Sequence, residues 1–484
     1  MTETLDDRLD PALRRLIAVL LLGGLMGILS GSMVAIGTET LSHALNTSLS
    51  AVGWVSTGYL LALTVTIPVT AWAVDRVGGR TLWLGGLTVF LLGSLAAGLA
   101  PNIETLVVAR VVQGIGAGIV DPLMLMLLAL AAGPGRAGRV MGIMGIVGSS
   151  GPILGPILGG VILRQWDWRW MFLVSVPIVA VAFVLSLRVL PARDPAEIPT
   201  STRLDVIGVA LLGPGVAFAV LALTQAGERG SFTAWQVLTP LVIGAALLVF
   251  YLAHALRPAR STPALIDLRL FTTRSFSASV LVGAFVGLAT FGSLFAIPLY
   301  FQQVRGFDVF EAGLLLTPLG VGAAIAMPLA GRLSDRVGSR ELAFAGSVVT
   351  LLAAVGFSLF GPDTALAWTV VAGFALGVGM GATGAPVQGS LYRTLPPEQV
   401  PQGSSVLYML NQLGGSLGVA VAALLIQTAA SPLDGFHHAY YGLVAILAIG
   451  TLATLWLPGK PAHTAHTAHT ADPTTSPTAV GQEA

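Results

Sequence analysis

Long apolar runs follow one another almost without pause between residues 16 and 458. About 20 residues at 1.5 Å rise cross the ~30 Å hydrocarbon core of a bilayer, so a run of 18 or more with few charges reads as a spanning helix. Such runs lie at 16–38, 51–73, 81–100, 105–130, 139–163, 170–190, 205–225, 236–256, 276–303, 311–331, 341–361, 367–392, 403–427 and 438–458, fourteen in all. They are continuously apolar, whereas the strands of a membrane β-barrel are short and alternate. The expected fold is therefore all-α and integral to a membrane. Only 10% of the 484 residues are charged, against about 25% in soluble domains, which excludes an ordinary globular enzyme.

An even number of spans puts both termini on one side. With the first residues inside, the inner segments hold nineteen of the 24 basic residues and the outer loops hold four, Arg164, Arg169, Arg229 and Arg305. That asymmetry predicts cytoplasmic termini. The acidic start, with Glu3, Asp6, Asp7 and Asp10 before a long apolar run, does not read as a cleavable signal peptide. With no cysteine in the chain, disulfides, thiolate metal sites and cysteine nucleophiles are excluded. The tail 459–484 repeats His-Thr-Ala through His463, His466 and His469. It reads as a disordered, solvated repeat, and no metal site is expected there.

The segment Ala71-Trp-Ala-Val-Asp75-Arg76-Val-Gly78-Gly79-Arg80 recurs as Gly331-Arg-Leu-Ser-Asp335-Arg336-Val-Gly338-Ser339-Arg340. Each copy follows the second helix of a six-helix set, which argues for duplicated halves. The organisation expected is a cytoplasmic N-terminus (1–15), a six-helix bundle (16–190), an inserted helix pair (205–256) and a second six-helix bundle (276–458), followed by the tail. Parallel repeats about an axis along the membrane normal describe one large transporter architecture.

Here the chain resembles the proton-coupled drug antiporters of the major facilitator superfamily, in their fourteen-helix branch, over essentially residues 10–458. The duplicated loops are similar to the family's Gly-x-Leu-x-Asp-Arg-x-Gly-Arg-Arg element. The resemblance marks Asp75, Arg76, Gly78, Arg80, Gly331, Asp335, Arg336, Gly338 and Arg340 as parts of a conformational switch; the first copy has Ala71 for the leading glycine. A carboxylate there can meet an arginine or a helix N-terminus and lock one conformation. Leu106, Arg110, Gln113, Gly114, Gly116 and Ala117 match the fourth-helix pattern. An arginine inside a spanning helix costs about 2.5–3.5 kcal/mol even on the mildest scale, so it is a functional candidate. Gly151, Pro152, Gly155, Pro156, Gly159 and Gly160 on the fifth helix resemble the element that marks antiporters; the physics alone predicts a kinked helix in close contact with a neighbour. Trp168-Arg169-Trp170-Met-Phe172 before helix 6, Tyr59-Leu60-Leu61 on helix 2 and Asn411-Gln412-Leu-Gly414 on helix 13 are supporting marks. Trp168 and Trp170 also suit an interfacial aromatic belt.

The resemblance breaks on helix 1, where Ser30 stands in place of the branch's membrane aspartate, Ala35 in place of asparagine and Glu39 in place of proline. Of the 23 acidic residues, Asp121 alone lies well inside a spanning run. It is eleven residues beyond Arg110, which leaves the two about 20° apart around the helix and roughly 16 Å along it. Carboxyl groups in low dielectric take up protons readily, and that general property makes an intramembrane acid a candidate proton carrier. Asp121, with Arg110 tuning it, is the leading candidate; Glu39 and Glu311, at outer helix ends, are the others. Ser30, Gln113, Asn411 and Gln412 are candidates for a substrate cavity.

The resemblance implies a monomeric exporter of small amphipathic organic compounds in a bacterial plasma membrane. It would be driven by the proton gradient, with no cofactor and no nucleic-acid partner. No Gly-x-x-x-x-Gly-Lys-Ser/Thr loop exists for direct ATP drive. An importer of a small nutrient on the same fold, or a receptor or assembly factor on this scaffold, stays open.

Overall fold

A computed structural model describes residues 10–34, 37–133, 136–191, 204–257 and 264–459. The expectations for the first nine residues and for the tail from 460 fall outside these, as do the side chains of Glu39, Pro152, Pro156 and Asp335.

The first bundle comprises α1 (Pro11–Met33), α2 (Leu49–Val77), α3 (Gly79–Gly98), α4 (Ile103–Ala132), α5 (Ala137–Gln165) and α6 (Trp170–Val189). A pair follows, α7 (Val206–Arg229) and α8 (Trp235–Ala255). The second bundle comprises α9 (Arg274–Leu299), α10 (Thr317–Val337), α11 (Ser339–Phe357), α12 (Leu366–Thr394), α13 (Val400–Gln427) and α14 (Pro432–Thr454). Among the described residues thirteen helices are long and apolar enough to cross a membrane. Helix α5, with 29 residues and no charge between Val140 and Leu163, completes fourteen. The architecture is all-helical, two six-helix bundles and an inserted pair.

Local chemistry sets the helix ends. Asn102 accepts from the Thr105 amide at 2.9 Å to cap α4, and Asp205 accepts from the Gly208 amide at 2.9 Å to cap α7. Gly78 and Gly338, at φ of 83° and 108°, make the sharp corners between α2 and α3 and between α10 and α11. Those positive angles are why both copies of the repeat need glycine there. Within the spans, hydroxyls bond back to their own helices, as Thr64 does to Leu60 O at 2.7 Å and Ser94 to Phe90 O at 2.9 Å. Hydrocarbon offers them no other partner.

The halves pack by one plan. In the first, α4 lies against α2, α3 and α1, while α1 also meets α5 and α6. In the second, α12 lies against α10, α11 and α9, while α9 meets α13 and α14. Between halves, α5 contacts α10 and α12, and α13 contacts α2 and α4, as a two-fold axis requires. Helix α7 packs on α2 and α13 at that seam and carries α8 on its outside. Glycines permit the close approaches: Gly114 and Gly118 face the backbone oxygens of Tyr59 and Leu63 on α2, and Gly377 and Gly381 face those of Leu319 and Ala323 on α10. Gly151, Gly155 and Gly159 of α5 seat on Ile28, Ser32 and Met33 of α1, as Gly414 and Gly418 of α13 seat on Ala284 and Leu288 of α9. In lipid such packing, rather than hydrophobic burial, holds helices together.

Trp54, Trp166, Trp170, Trp235 and Trp368 are 46–72% exposed near helix ends on the face opposite the chain's termini, an interfacial belt. Trp168 differs. It is 4% exposed, edge-on to Phe172 at 6.2 Å, with the Arg169 guanidinium 4.5 Å from its ring centre.

Candidate functional site

Among polar side chains of the described spans, one group stands apart, running through α1, α2, α3, α4, α6 and α13. Arg110, on α4, has no exposed surface. Its Nε donates to Val55 O at 3.0 Å; Nη1 donates to Ser30 Oγ at 2.9 Å and to Gln113 Oε1 at 2.6 Å; Nη2 reaches Ser30 O at 3.4 Å. The guanidinium carbon lies 4.1 Å from the Tyr59 ring centre and 5.6 Å from that of Phe172. Gln113 Nε2 donates onward to Ser94 Oγ at 2.8 Å, which Ser175 Oγ joins at 3.1 Å. Arg110 is thus held by neutral acceptors and two aromatic faces. Ser30, on α1, accepts from it through both its hydroxyl and its carbonyl oxygen.

Asp121 lies further along the same helix and is 3% exposed. No described residue gives it a positive partner, and Arg110 does not touch it. Its Oδ2 accepts from Tyr408 OH of α13 at 3.0 Å, a bond between the two six-helix bundles. Its Oδ1 has no hydrogen-bond partner and lies 2.7 Å from where a Cβ on Gly27 would stand. Glycine at 27 is therefore what makes room for the carboxyl. Tyr59 connects the two ends of the group: its OH donates to Gly27 O at 2.8 Å while its ring lies against Arg110. Ser405 Oγ donates to Ile67 O at 3.4 Å, a second link between the bundles, this one from α13 to α2.

The helix-4 pattern thus brings Arg110, Gln113 and Ser30 into one contact group and leaves Asp121 in a second, with Tyr59 between them. Gln113 and Ser30, at 0% and 3% exposure, are engaged with Arg110. Asn411 and Gln412 are partly exposed on α13, Asn411 Nδ2 donating to Gly283 O at 3.0 Å. Glu311 lies elsewhere, exposed in a capping box with Asp308: its amide donates to Asp308 Oδ1 at 2.7 Å, and its own Oε2 accepts from the Asp308 amide at 3.1 Å. Tyr408 and Ser94 were not evident from sequence. A phenol in mid-span demands a partner, and that was the available signal for Tyr408.

The duplicated corners are braced alike. Arg80 Nη2 donates to Leu187 O at 2.8 Å at the end of α6, and Arg340 Nε donates to Leu457 O at 2.9 Å just past α14. Asp75, Arg76 and Arg336 are exposed at the same face. In the second copy Arg393 of α12 donates to Ser339 Oγ and, at 3.4 Å, to Ser334 Oγ, and Ser339 Oγ donates to Pro386 O at 2.9 Å.

The sequence model of the Major Facilitator Superfamily matches residues 19–419. A multidrug resistance protein B homolog of Mycobacterium tuberculosis (strain ATCC 25618 / H37Rv) is 37% identical over 423 residues, 87% of this chain and 77% of the relative. The lincomycin resistance protein LmrB of Listeria innocua is 27% identical over 412 residues, 85% and 86% of the two chains. In fold, the proton:xylose symporter XylE, bound to 6-bromo-6-deoxy-D-glucose, superposes with a TM-score of 0.64 at 16% identity, over 91% of this chain and 94% of that one. The packing plan, the repeated corners and these matches agree: the chain is a multi-pass membrane transporter of the major facilitator superfamily.

Proposed function

We propose that the protein exports small amphipathic organic compounds in exchange for protons, with Asp121 as the proton carrier. The observation that supports this most is the setting of that carboxyl. It is buried, has one oxygen unbonded, and meets the opposing bundle through the other. An intramembrane acid free of a cationic partner can exist charged or neutral without breaking an ion pair, which is what a reversible proton site requires.

The basic-residue asymmetry favours cytoplasmic termini in a bacterial plasma membrane. The Asp121–Tyr408 contact then lies in the cytoplasmic half of the spans, where it helps close the route inward, and rocking of the bundles reopens it. The repeated corners at Asp75–Arg80 and Gly331–Arg340 govern that rocking, and the glycine seats of α5 on α1 serve as its bearing. Asn411 and Gln412, partly exposed on α13, are the cavity candidates best able to meet a substrate. Relatives named for multidrug and lincomycin resistance support the outward direction. The test is expression in an efflux-deficient bacterial host, with growth and accumulation measured across a panel of amphipathic compounds. Protection with lowered accumulation is expected for a subset. Raised accumulation of a compound on expression would contradict export and favour import.

A further inference from the structure

We infer that Tyr408 is the positioning residue through which the charge on Asp121 governs contact between the two bundles. The phenol holds them together over an ionised carboxylate and lets them part once that carboxyl is protonated. This inference rests on the reading of Asp121 as the proton carrier.

Three observations carry it. The bond from Tyr408 OH to Asp121 Oδ2, at 3.0 Å, crosses from α13 in one bundle to α4 in the other. The carboxyl is nearly sealed while Tyr408 is half-buried, so the tyrosine is the more accessible member of the pair. The other oxygen of Asp121 has no donor and sits over Gly27. No other described group compensates the carboxyl. From α2, Tyr59 faces it but gives its own proton to Gly27 O. From α1 the neighbour is glycine backbone, which does not titrate. On α4 itself, Arg110 directs its donors to Val55, Ser30 and Gln113.

The physics follows from this inventory. A hydrogen bond to a carboxylate is about twice as strong as one to a neutral acceptor. If the bundles parted while Asp121 was ionised, the buried carboxylate would lose its one hydrogen bond, a heavily penalised state. Once protonated, the acid loses only a neutral bond on parting and can donate its own proton to the oxygen of an entering water. Tyr408 thereby turns one proton into a bias between the joined and parted arrangements, and a state-dependent bias of this kind is what coupling requires.

The cysteine-free chain suits the test. Spin labels at Ala12→Cys and Glu398→Cys, both exposed at the face that carries the termini, report the separation of the bundles by pulsed dipolar spectroscopy in nanodiscs. In the otherwise native protein the ratio of short to long distances should fall roughly tenfold between alkaline and acidic buffer, the order set by exchanging a charge-assisted bond for a neutral one. Asp121→Asn should be flat with pH. So should Tyr408→Phe, and the double variant should behave as either single one. Incorporating 3-fluorotyrosine at 408 keeps the ring and strengthens the donor. It favours the ionised acid and should move the midpoint to lower pH. A pH response in Tyr408→Phe equal to the native one, with Asp121→Asn flat, would overturn the role of Tyr408 while leaving Asp121 as carrier. A native response retained in Asp121→Asn would overturn both, whereas a midpoint indifferent to fluorination would overturn the role of Tyr408 alone.

Discussion

Arg110 presents an accounting problem that its neighbours solve. An arginine at the centre of a spanning helix costs about 2.5–3.5 kcal/mol, an upper bound for Arg110, which lies about two turns inside α4. Four hydrogen bonds in a membrane protein return about 0.6 kcal/mol each, and a desolvated cation over aromatic rings returns about 2. The two sides nearly balance, with the contacts slightly ahead. Arg110→Ala is therefore predicted to lower stability by only about 1–2 kcal/mol, with transport impaired far more than folding. Arg110→Lys keeps the cost of the charge and loses the planar fork that reaches Val55, Ser30 and Gln113 together. It should melt below Arg110→Ala in a detergent thermal-unfolding assay; the reverse order would mean that charge, not geometry, is what the site needs. Glu311→Gln, in an exposed capping box, should leave transport within about fivefold, as a change worth under ~1 kcal/mol does. The sequence made Arg110, Gln113 and Asp121 visible because polar residues in apolar runs are few. Tyr408 stayed hidden because its partner lies 287 residues away on the other bundle. The separation of Arg110 from Asp121 was already implicit in their spacing along one helix, yet only the contacts show that each has its own partners.

At the scale of helices, what the halves share is scaffold and what they do not share is chemistry. The glycines of α4 that face α2 have counterparts on α12 that face α10, whereas the seam of Arg110, Gln113 and Asp121 has none at matching positions, where Gly373, Leu376 and Gly384 stand. Gly118→Ala would drive a methyl against the Leu63 carbonyl, whereas Gly85 on α3 has nothing within 4 Å of an added methyl. The first should cost about 1–3 kcal/mol by overpacking, and Gly85→Ala should be neutral or stabilising by up to about 1 kcal/mol. Comparable melting losses at both sites would contradict the close α2–α4 packing. The helices themselves were legible because lipid demands continuous apolar runs. The glycine seats were not, since 59 glycines make any given spacing unremarkable until the neighbouring backbone is in view.

For the whole molecule, the duplicated corner was the legible sign of two bundles, and the pseudo-two-fold pattern of contacts extends it from one loop to every helix of both halves. Asp335→Asn should slow transport while leaving substrate binding largely intact, because the corner governs switching rather than recognition; binding loss with normal switching would contradict that role. Single cysteines placed near the termini or near Arg269 should resist an impermeant thiol reagent in intact cells, and labelling there would overturn the orientation. The central claim is that substrate leaves as protons enter, by way of Asp121. Its most direct test is a purified, oriented proteoliposome under an imposed pH gradient, with proton flux and substrate flux recorded together. The native protein should move both in a fixed ratio, and Asp121→Asn should bind substrate yet lose gradient-driven flux by at least about tenfold, the change that 1.4 kcal/mol produces. Full coupled flux in Asp121→Asn would contradict the account.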